Sequence, residues 1–168
     1  MCPNADRKSD DTQNGQTFYP TNQLPQIQNG FNSGIWSNLE NAVRGLTSST
    51  DTIYVAVGPC YRKVGGSETV KSLTGKSGVT PSSVDVPNYF YKVLLKVKWK
   101  GGTISSACAI GFWFEHKVYD STNNSYASYA VSVDQIEQWT GLDFFVNLPS
   151  SIASTAETNT SWQDFSNF

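Results

Sequence analysis

The sequence has little of what several classes of site require. It contains one histidine, His116, and its three cysteines, Cys2, Cys60 and Cys108, form no C-x-x-C pair. The cysteines therefore predict no structural zinc site and allow at most one internal disulfide. Because the formal net charge is −2, any attraction to a polyanion must come from a local cluster of basic residues.

Long apolar runs are absent as well. No segment approaches the roughly 18 apolar residues that a membrane span requires, so no membrane partner is expected. The first residues, "MCPNADRKSDD", are polar and lack the apolar region of a secretory signal. With 38% hydrophobic and 13% aromatic residues over 168 positions, we expect one globular domain over residues 1–168. Within it, residues from about 150 to 168 are expected to be a partly ordered tail.

The hydrophobic pattern predicts an α+β fold. A short strand is expected at "TFYPTN", followed by a helix with an apolar stripe through its second half. Three further strands follow at "TIYVAVGPC", "DVPNYFYKVLLKVKW" and "ISSACAIGFWFEH", the last two joined by a turn at Gly101-Gly102. Residues 62–85 are expected to be a surface excursion, and "VSVDQIEQWTGLDFF" a second helix. Hairpins dominate this order, which is typical of an antiparallel β-sheet with packed helices.

The entrance of the first helix is unusually rich in amides. Six lie within eleven positions: Asn22, Gln23, Gln26, Gln28, Asn29 and Asn32. One interpretation is a polar helix entrance, in which Asn29 or Asn32 is the N-cap and contributes about 1 kcal/mol. The other is a site built from neutral oxygen ligands. Asn32, Glu40 and Arg44 lie on one side of the helix by their spacing, but Glu40 with Arg44 is also an ordinary surface pair.

Six segments carry a family resemblance and together span roughly residues 2 to 149. In chain order they are "CPNADR", "TFYPTNQLPQ", "FNSGIWSNLENAVR", "IYVAVGPCY", "VPNYFYKVLL" and "YAVSVDQIEQWTGLDFFVNLP". They resemble segments of the DNA/RNA non-specific endonucleases, the sugar-non-specific branch of the ββα-metal (His-Me finger) nucleases. The helix segment is similar to the family's L-N-x-G-x-W-x-x-L-E-x-x-x-R, and the segment before it to N-x-x-P-Q.

This resemblance implies a hydrolase that cuts phosphodiester bonds in DNA and RNA with one magnesium ion. By position, Asn32 would be the ion's protein ligand, and Glu40 would hold a metal-bound water. Arg44 would support Glu40 and the phosphate, while Asn22 and Gln26 would brace the site. An amide oxygen suits magnesium, which prefers oxygen ligands and keeps several waters.

The resemblance leaves the general base unassigned. The family uses the histidine of a D-R-G-H motif, and the match here begins at Met1, where that motif should just have ended. We therefore expect a truncated sequence, or a start assigned to an internal Met, and a chain that is catalytically dead or nearly so. His116 ends a strand outside the family pattern and is expected to be a surface residue.

Lys96, Lys98 and Lys100 alternate along one face of a predicted strand. They could contact phosphates, but a solvent-exposed strand face, or an edge strand kept soluble by lysine, explains the same pattern, and we favour that interpretation.

Two functions follow from these observations. The first is the magnesium-dependent nuclease, and the alternative is a non-catalytic module that holds nucleic acid or a protein such as a nuclease inhibitor. The open edge of the "TFYPTN" strand could pair between two copies and give a homodimer. The resemblance suggests a secreted or periplasmic protein, although the sequence itself does not identify the compartment.

Overall fold

The structure is a computed structural model that describes residues 1–46, 52–78, 82–120 and 125–168. Its centre is a four-stranded antiparallel sheet in the order β1-β4-β5-β6. The strands are β1 (Ile53–Cys60), β4 (Tyr89–Lys100), β5 (Thr103–Glu115) and β6 (Ala130–Val131). A separate hairpin joins β2 (Lys71–Thr74) to β3 (Ser83–Val86), within the segment that was expected to be only a surface excursion.

The helices are α1 (Asp11–Gln16), α2 (Ser37–Gly45), α3 (Val133–Thr140), α4 (Ser150–Ala156) and α5 (Trp162–Asn167). The last four cover the two faces of the sheet, whereas α1 has no buried residue. Phe90 and Leu94 of β4 point into the cluster that contains α2 and α5, whereas Val93 and Leu95 point toward α3 and α4. The predicted α+β class, with an antiparallel sheet and packed helices, is confirmed.

The long hairpin forms as predicted. Gly101 and Gly102 have φ of 61° and 80° and link β4 to β5. Positive φ at both central residues matches the right-handed twist of the flanking strands, and glycine adopts it without a Cβ clash.

Two sequence predictions are wrong at the ends of the chain. "TFYPTN" forms no strand: a turn leads into a short 3-10 helix, Pro20–Asn22, and Phe18 and Tyr19 are exposed. The edge proposed for a homodimer is therefore not there. Residues 150–168 form α4 and α5 instead of a partly ordered tail, because Ala156 and Phe165 are buried in the two core clusters.

The predicted long helix is bent. Its first part, the kinked segment Gln28–Trp36, has non-helical backbone at Asn29, Gly30, Ser33 and Gly34, and regular helix begins at Ser37. None of the helices in the described ranges is long and apolar enough to cross a membrane.

Candidate active site

Five of the predicted site residues line one cavity of about 660 Å³: Asn22, Gln26, Asn32, Glu40 and Arg44. They come from the loop before the kinked segment, from that segment and from α2. A neighbouring cavity of about 850 Å³ shares Asn22, Glu40 and Arg44 and adds Lys92 from the sheet. Residues 1–3 line both cavities.

The kinked segment sets the position of Asn32. Gly30 has a φ of 79°, and a Cβ there would lie 2.7 Å from the backbone oxygen of Tyr119. Phe31 next to it is fully buried, stacking on Trp36 with ring centroids 5.8 Å apart. Because Gly30 and Phe31 fix the chain against the core, Asn32 is held at the wall of the cavity.

The amide of Asn32 has a defined orientation. Its Nδ2 donates to Oε1 of Gln28 at 3.2 Å, and the backbone N–H of Asn32 donates to Ile27 O at 3.0 Å. No described residue donates to Oδ1 of Asn32. This carbonyl oxygen is therefore the end of the amide that could accept a cation or a proton donor.

Glu40 lies between two cations. Arg44 Nη2 is 3.6 Å from Oε2, and Lys92 Nζ is 3.7 Å from Oε1. Arg44 also donates to Asp6 and, through Nη1, to Oδ1 of Asn41 at 2.8 Å. The carboxylate side chain is 15% exposed, so screening by water is weaker than for a surface pair.

Lys92 was missed by the sequence reasoning. It is 4% exposed and lies in β4, with its Nζ 4.7 Å from the centroid of the Trp36 ring. Burial lowers the pKa of Lys92, and the charge of Glu40 opposes that shift. The sequence feature that could have identified Lys92 as a site residue is its position on the apolar face of a predicted strand, between Phe90 and Leu94.

The two predicted bracing amides behave differently. The side chain of Asn22 accepts from the backbone N–H of Cys2 at 2.6 Å and donates to Cys2 O at 2.9 Å and Thr17 O at 2.8 Å. It ties the start of the chain to the loop. Nε2 of Gln26 is buried without a hydrogen-bond partner among the described residues. A buried amide N–H without a partner costs free energy, so Gln26 is suited to donate to a ligand in the cavity.

His116 is neither exposed nor part of the cavity lining. Its Nε2 accepts the backbone N–H of Ile27 at 2.8 Å, so Nδ1 carries the proton and donates to Pro87 O at 2.9 Å. Burial lowers the pKa of His116, which favours the neutral ring. The expectation of a surface histidine is wrong, because the ring packs against Phe31 and Phe90.

Lys96, Lys98 and Lys100 line neither of these two cavities. Because β4 lies between β1 and β5, the edge-strand interpretation of these lysines is wrong. Lys96 Nζ donates to Ser166 O at 3.3 Å and lies 5.3 Å from the Phe165 ring centroid. Lys98 Nζ lies 4.1 Å from the Phe168 ring centroid, and Lys100 is exposed at the end of the strand. Two of the three lysines therefore contact the C-terminal residues of the chain.

A comparison with protein families covers the part of the chain that forms these cavities. The model of the DNA/RNA non-specific endonucleases matches residues 1–151. The chain belongs to this family. Every residue of the cavity lies within the matched range.

Relatives of this endonuclease-family chain are named nucleases. It is 30% identical over 149 residues to Nuclease 1, mitochondrial, of Schizosaccharomyces pombe, covering 89% of this chain and 46% of that protein. It is 31% identical over 151 residues to Nuclease C1 of Cunninghamella echinulata var. echinulata, covering 90% and 57%. The chain thus spans about half the length of the curated relatives it matches. Because the S. pombe relative is named mitochondrial, membership of this family does not by itself predict a secreted protein.

The fold is similar to that of a chain in the crystal structure of the EndoG/EndoGI complex, with a TM-score of 0.64 and 24% identity, covering 83% of this chain and 55% of that chain. This likeness concerns the fold alone, and it agrees with the predicted fold class, an antiparallel sheet with packed helices.

The residues of this endonuclease-family site fit a magnesium ion held largely by water. In the part of the chain that the structure describes, no group of three His, Cys, Asp or Glu could hold a metal. Within those residues there is therefore no metal site built from three or more such side chains. Asn32 offers an oriented amide oxygen at the cavity wall, and Glu40 lines the same cavity. A hard cation that keeps several waters needs few protein ligands.

Proposed function

We propose that this site serves magnesium-dependent hydrolysis of phosphodiester bonds in DNA and RNA. The observation that carries the proposal is the meeting of Asn32, Glu40 and Arg44 in one cavity. Asn32 would hold the ion through Oδ1, and Glu40 would accept hydrogen bonds from water bound to the ion. When bound, the ion would neutralise charge that develops on the phosphate and assist the leaving oxygen.

One guanidinium and one amide contribute on the protein's side. Arg44 lines the cavity and would face a bound phosphate, while Glu40 and Asp6 balance the charges of Arg44 and Lys92. The unpaired Nε2 of Gln26 supplies a hydrogen-bond donor to a phosphate oxygen. Asn22 holds the backbone of Cys2 at the cavity wall.

We propose further that the 168-residue chain by itself hydrolyses nucleic acid slowly or not at all. General-base catalysis needs a proton acceptor within hydrogen-bond reach of the attacking water. The single histidine, His116, is bonded at both ring nitrogens to Ile27 and Pro87. It therefore lacks a free nitrogen for that task.

The direct test compares the wild-type chain with N32A, using supercoiled plasmid DNA and a fluorescent RNA with and without Mg²⁺. We expect Mg²⁺ binding by the wild type, its loss in N32A, and little cleavage by either. A matched control is N38A, an exposed amide on α2, which should bind Mg²⁺ normally. Robust Mg²⁺-dependent cleavage that N32A abolishes would overturn the proposed inactivity, and absence of Mg²⁺ binding would overturn the metal site.

A binding module on the same fold is the second candidate, favoured by the engagement of both His116 nitrogens. Its partner would be nucleic acid, or a protein inhibitor such as the EndoG/EndoGI complex suggests for that protein. Salt-dependent binding of DNA to the wild-type chain without cleavage supports this function. A homodimer remains a prediction, although not through the "TFYPTN" segment, and sedimentation tests it. A secreted or periplasmic location also remains a prediction; the mitochondrial relative favours a mitochondrial location instead, and localisation of the tagged protein distinguishes them.

A further inference from the structure

Lys92 is a buried charge that the proposed chemistry does not explain. It is 4% exposed and lies between Phe90 and Leu94 on one face of β4. This face packs against α2. Burying an ammonium group is unfavourable unless it is paired. An apolar side chain of the same length, such as methionine, would fill this position without that cost.

The two contacts of the Lys92 ammonium that the structure shows are with Glu40 of α2 and with Trp36 of the kinked segment. Its Nζ is 3.7 Å from Glu40 Oε1 and 4.7 Å from the ring centroid of Trp36. Trp36 precedes α2, one turn before Glu40. The Trp36 ring and the Glu40 carboxylate therefore both lie next to the ammonium.

The second oxygen of Glu40 has a different partner. Arg44 Nη2 lies 3.6 Å from Oε2, and Arg44 is in turn held by Asp6 and Asn41. Lys92 from the sheet and Arg44 from the helix therefore pair with different oxygens of the Glu40 carboxylate. A pair of contacts to the two oxygens restricts rotation of the carboxylate about its terminal bond, which a single contact does not.

We propose that Lys92 is a positioning residue that fixes the carboxylate of Glu40 toward the cavity, acting from the sheet while Arg44 acts from the helix. This inference rests on the proposed metal site, because it assigns Lys92 a role through Glu40. Groups that orient a hydrogen-bond acceptor beside a metal's water shell influence metal affinity without touching the ion.

The experiment is a double-mutant cycle on metal affinity with K92M, E40Q and E40Q/K92M. Mn²⁺ is the probe, because it takes oxygen ligands as magnesium does; it is titrated by electron paramagnetic resonance and displaced with Mg²⁺. We expect K92M and E40Q each to weaken Mn²⁺ binding about tenfold. The double variant should bind like E40Q alone, since Lys92 then has no carboxylate to position.

Two further variants separate positioning from folding. K92R returns a cation to the same place and should recover most of the affinity lost in K92M. K117M removes a lysine that also pairs with a glutamate, Glu115, and lies 5.7 Å from the Tyr119 ring centroid, but on the surface; its affinity should equal that of the wild type. If K92M fails to fold by near-ultraviolet circular dichroism, K92Q replaces it in the cycle.

The outcomes distinguish this inference from the function on which it rests. Wild-type affinity in a folded K92M, or equal losses that add in the double variant, would overturn the role of Lys92 while the metal site stands. A wild-type chain that binds no Mn²⁺ would overturn the metal site itself. Tenfold weakening in K92M, absent from the E40Q background, supports the positioning role.

Discussion

Single polar side chains in this protein join backbone segments that are far apart in the sequence. His116 links Ile27 to Pro87, and Asn22 links Cys2 to Thr17. Each replaces backbone pairing in a region without sheet or helix hydrogen bonds. The loop before the kinked segment is therefore held by side chains, and its geometry depends on a few residues.

Replacing His116 tests this dependence. H116A leaves the N–H of Ile27 and the carbonyl of Pro87 without their partner, so we expect a loss of about 1–3 kcal/mol in the free energy of unfolding. The pKa of His116 is lower in the folded chain than in the unfolded chain. As the pH falls, the unfolded chain therefore binds a proton at this histidine before the folded chain does. Wild-type stability should therefore fall as pH decreases below about 6.5, and this part of the fall should disappear in H116A.

Urea denaturation at several pH values measures both effects. K117A, the exposed neighbouring position, is the control and should change stability by less than about 0.5 kcal/mol. Equal stability of H116A and K117A would contradict a structural role for the histidine.

Site residues could be predicted from the sequence where they follow a helical spacing, but not where they interrupt an apolar strand face. Asn32, Glu40 and Arg44 recur at multiples of four, and they do line one cavity. Lys92 interrupts an apolar strand face, and strand propensity alone assigns it to solvent. Its pairing with Glu40 depends on how α2 lies across the sheet, which local sequence does not specify.

Among the elements, the kinked segment and α5 depart most from expectation. A four-residue spacing suggested one continuous helix, but Gly30 and Gly34 allow backbone that helix periodicity does not reveal. In α5 the polar composition hid two apolar positions three apart, Trp162 and Phe165, which form one face of a short helix. The pairing of β4 with β5 was predictable because the Gly101-Gly102 turn joins them, but the register shift between Lys98 and Trp99 was not.

The contact between α3 and the end of α4 gives a pH prediction. Burial, followed by the charges of Glu137, Asp134 and Asp143, raises the pKa of Glu157 to about 7. The folded state then binds more protons than the unfolded state, so stability should fall as pH rises from about 4.5 to 7. E157Q should be more stable than the wild type at pH 8 by about 0.5–1 kcal/mol, a figure discounted for solvent screening.

Urea denaturation of E157Q and the wild type at pH 5 and pH 8 provides the measurement. E115Q is the matched control, since Glu115 is exposed and pairs with Lys117. An E157Q advantage that is the same at both pH values would argue against a raised pKa.

For the molecule as a whole, we expect residues 1–168 to unfold as one cooperative domain, although their C-terminal helix was expected to be loose. Phe165 is fully buried, stacks on Trp162 with ring centroids 5.9 Å apart, and belongs to the same cluster as Phe90 and Leu39. F165A should therefore lower the free energy of unfolding by about 3–5 kcal/mol, as deletion of a buried aromatic ring does.

Chemical denaturation followed by tryptophan fluorescence and by far-ultraviolet circular dichroism measures this, and coincident transitions indicate one unit. F18A is the control, because Phe18 is 60% exposed. If F165A unfolds like F18A, α5 is not part of the common core.

The position of Trp36 has an optical consequence. Its indole is 3% exposed, lines the cavity with Asn32 and Glu40, and lies against the Lys92 ammonium. Indole emission responds to the electric field of nearby charges, so a cation or phosphate that enters the cavity changes the field at this ring. The protein thus carries an intrinsic fluorophore at its candidate site, and occupancy can be followed in solution without a label.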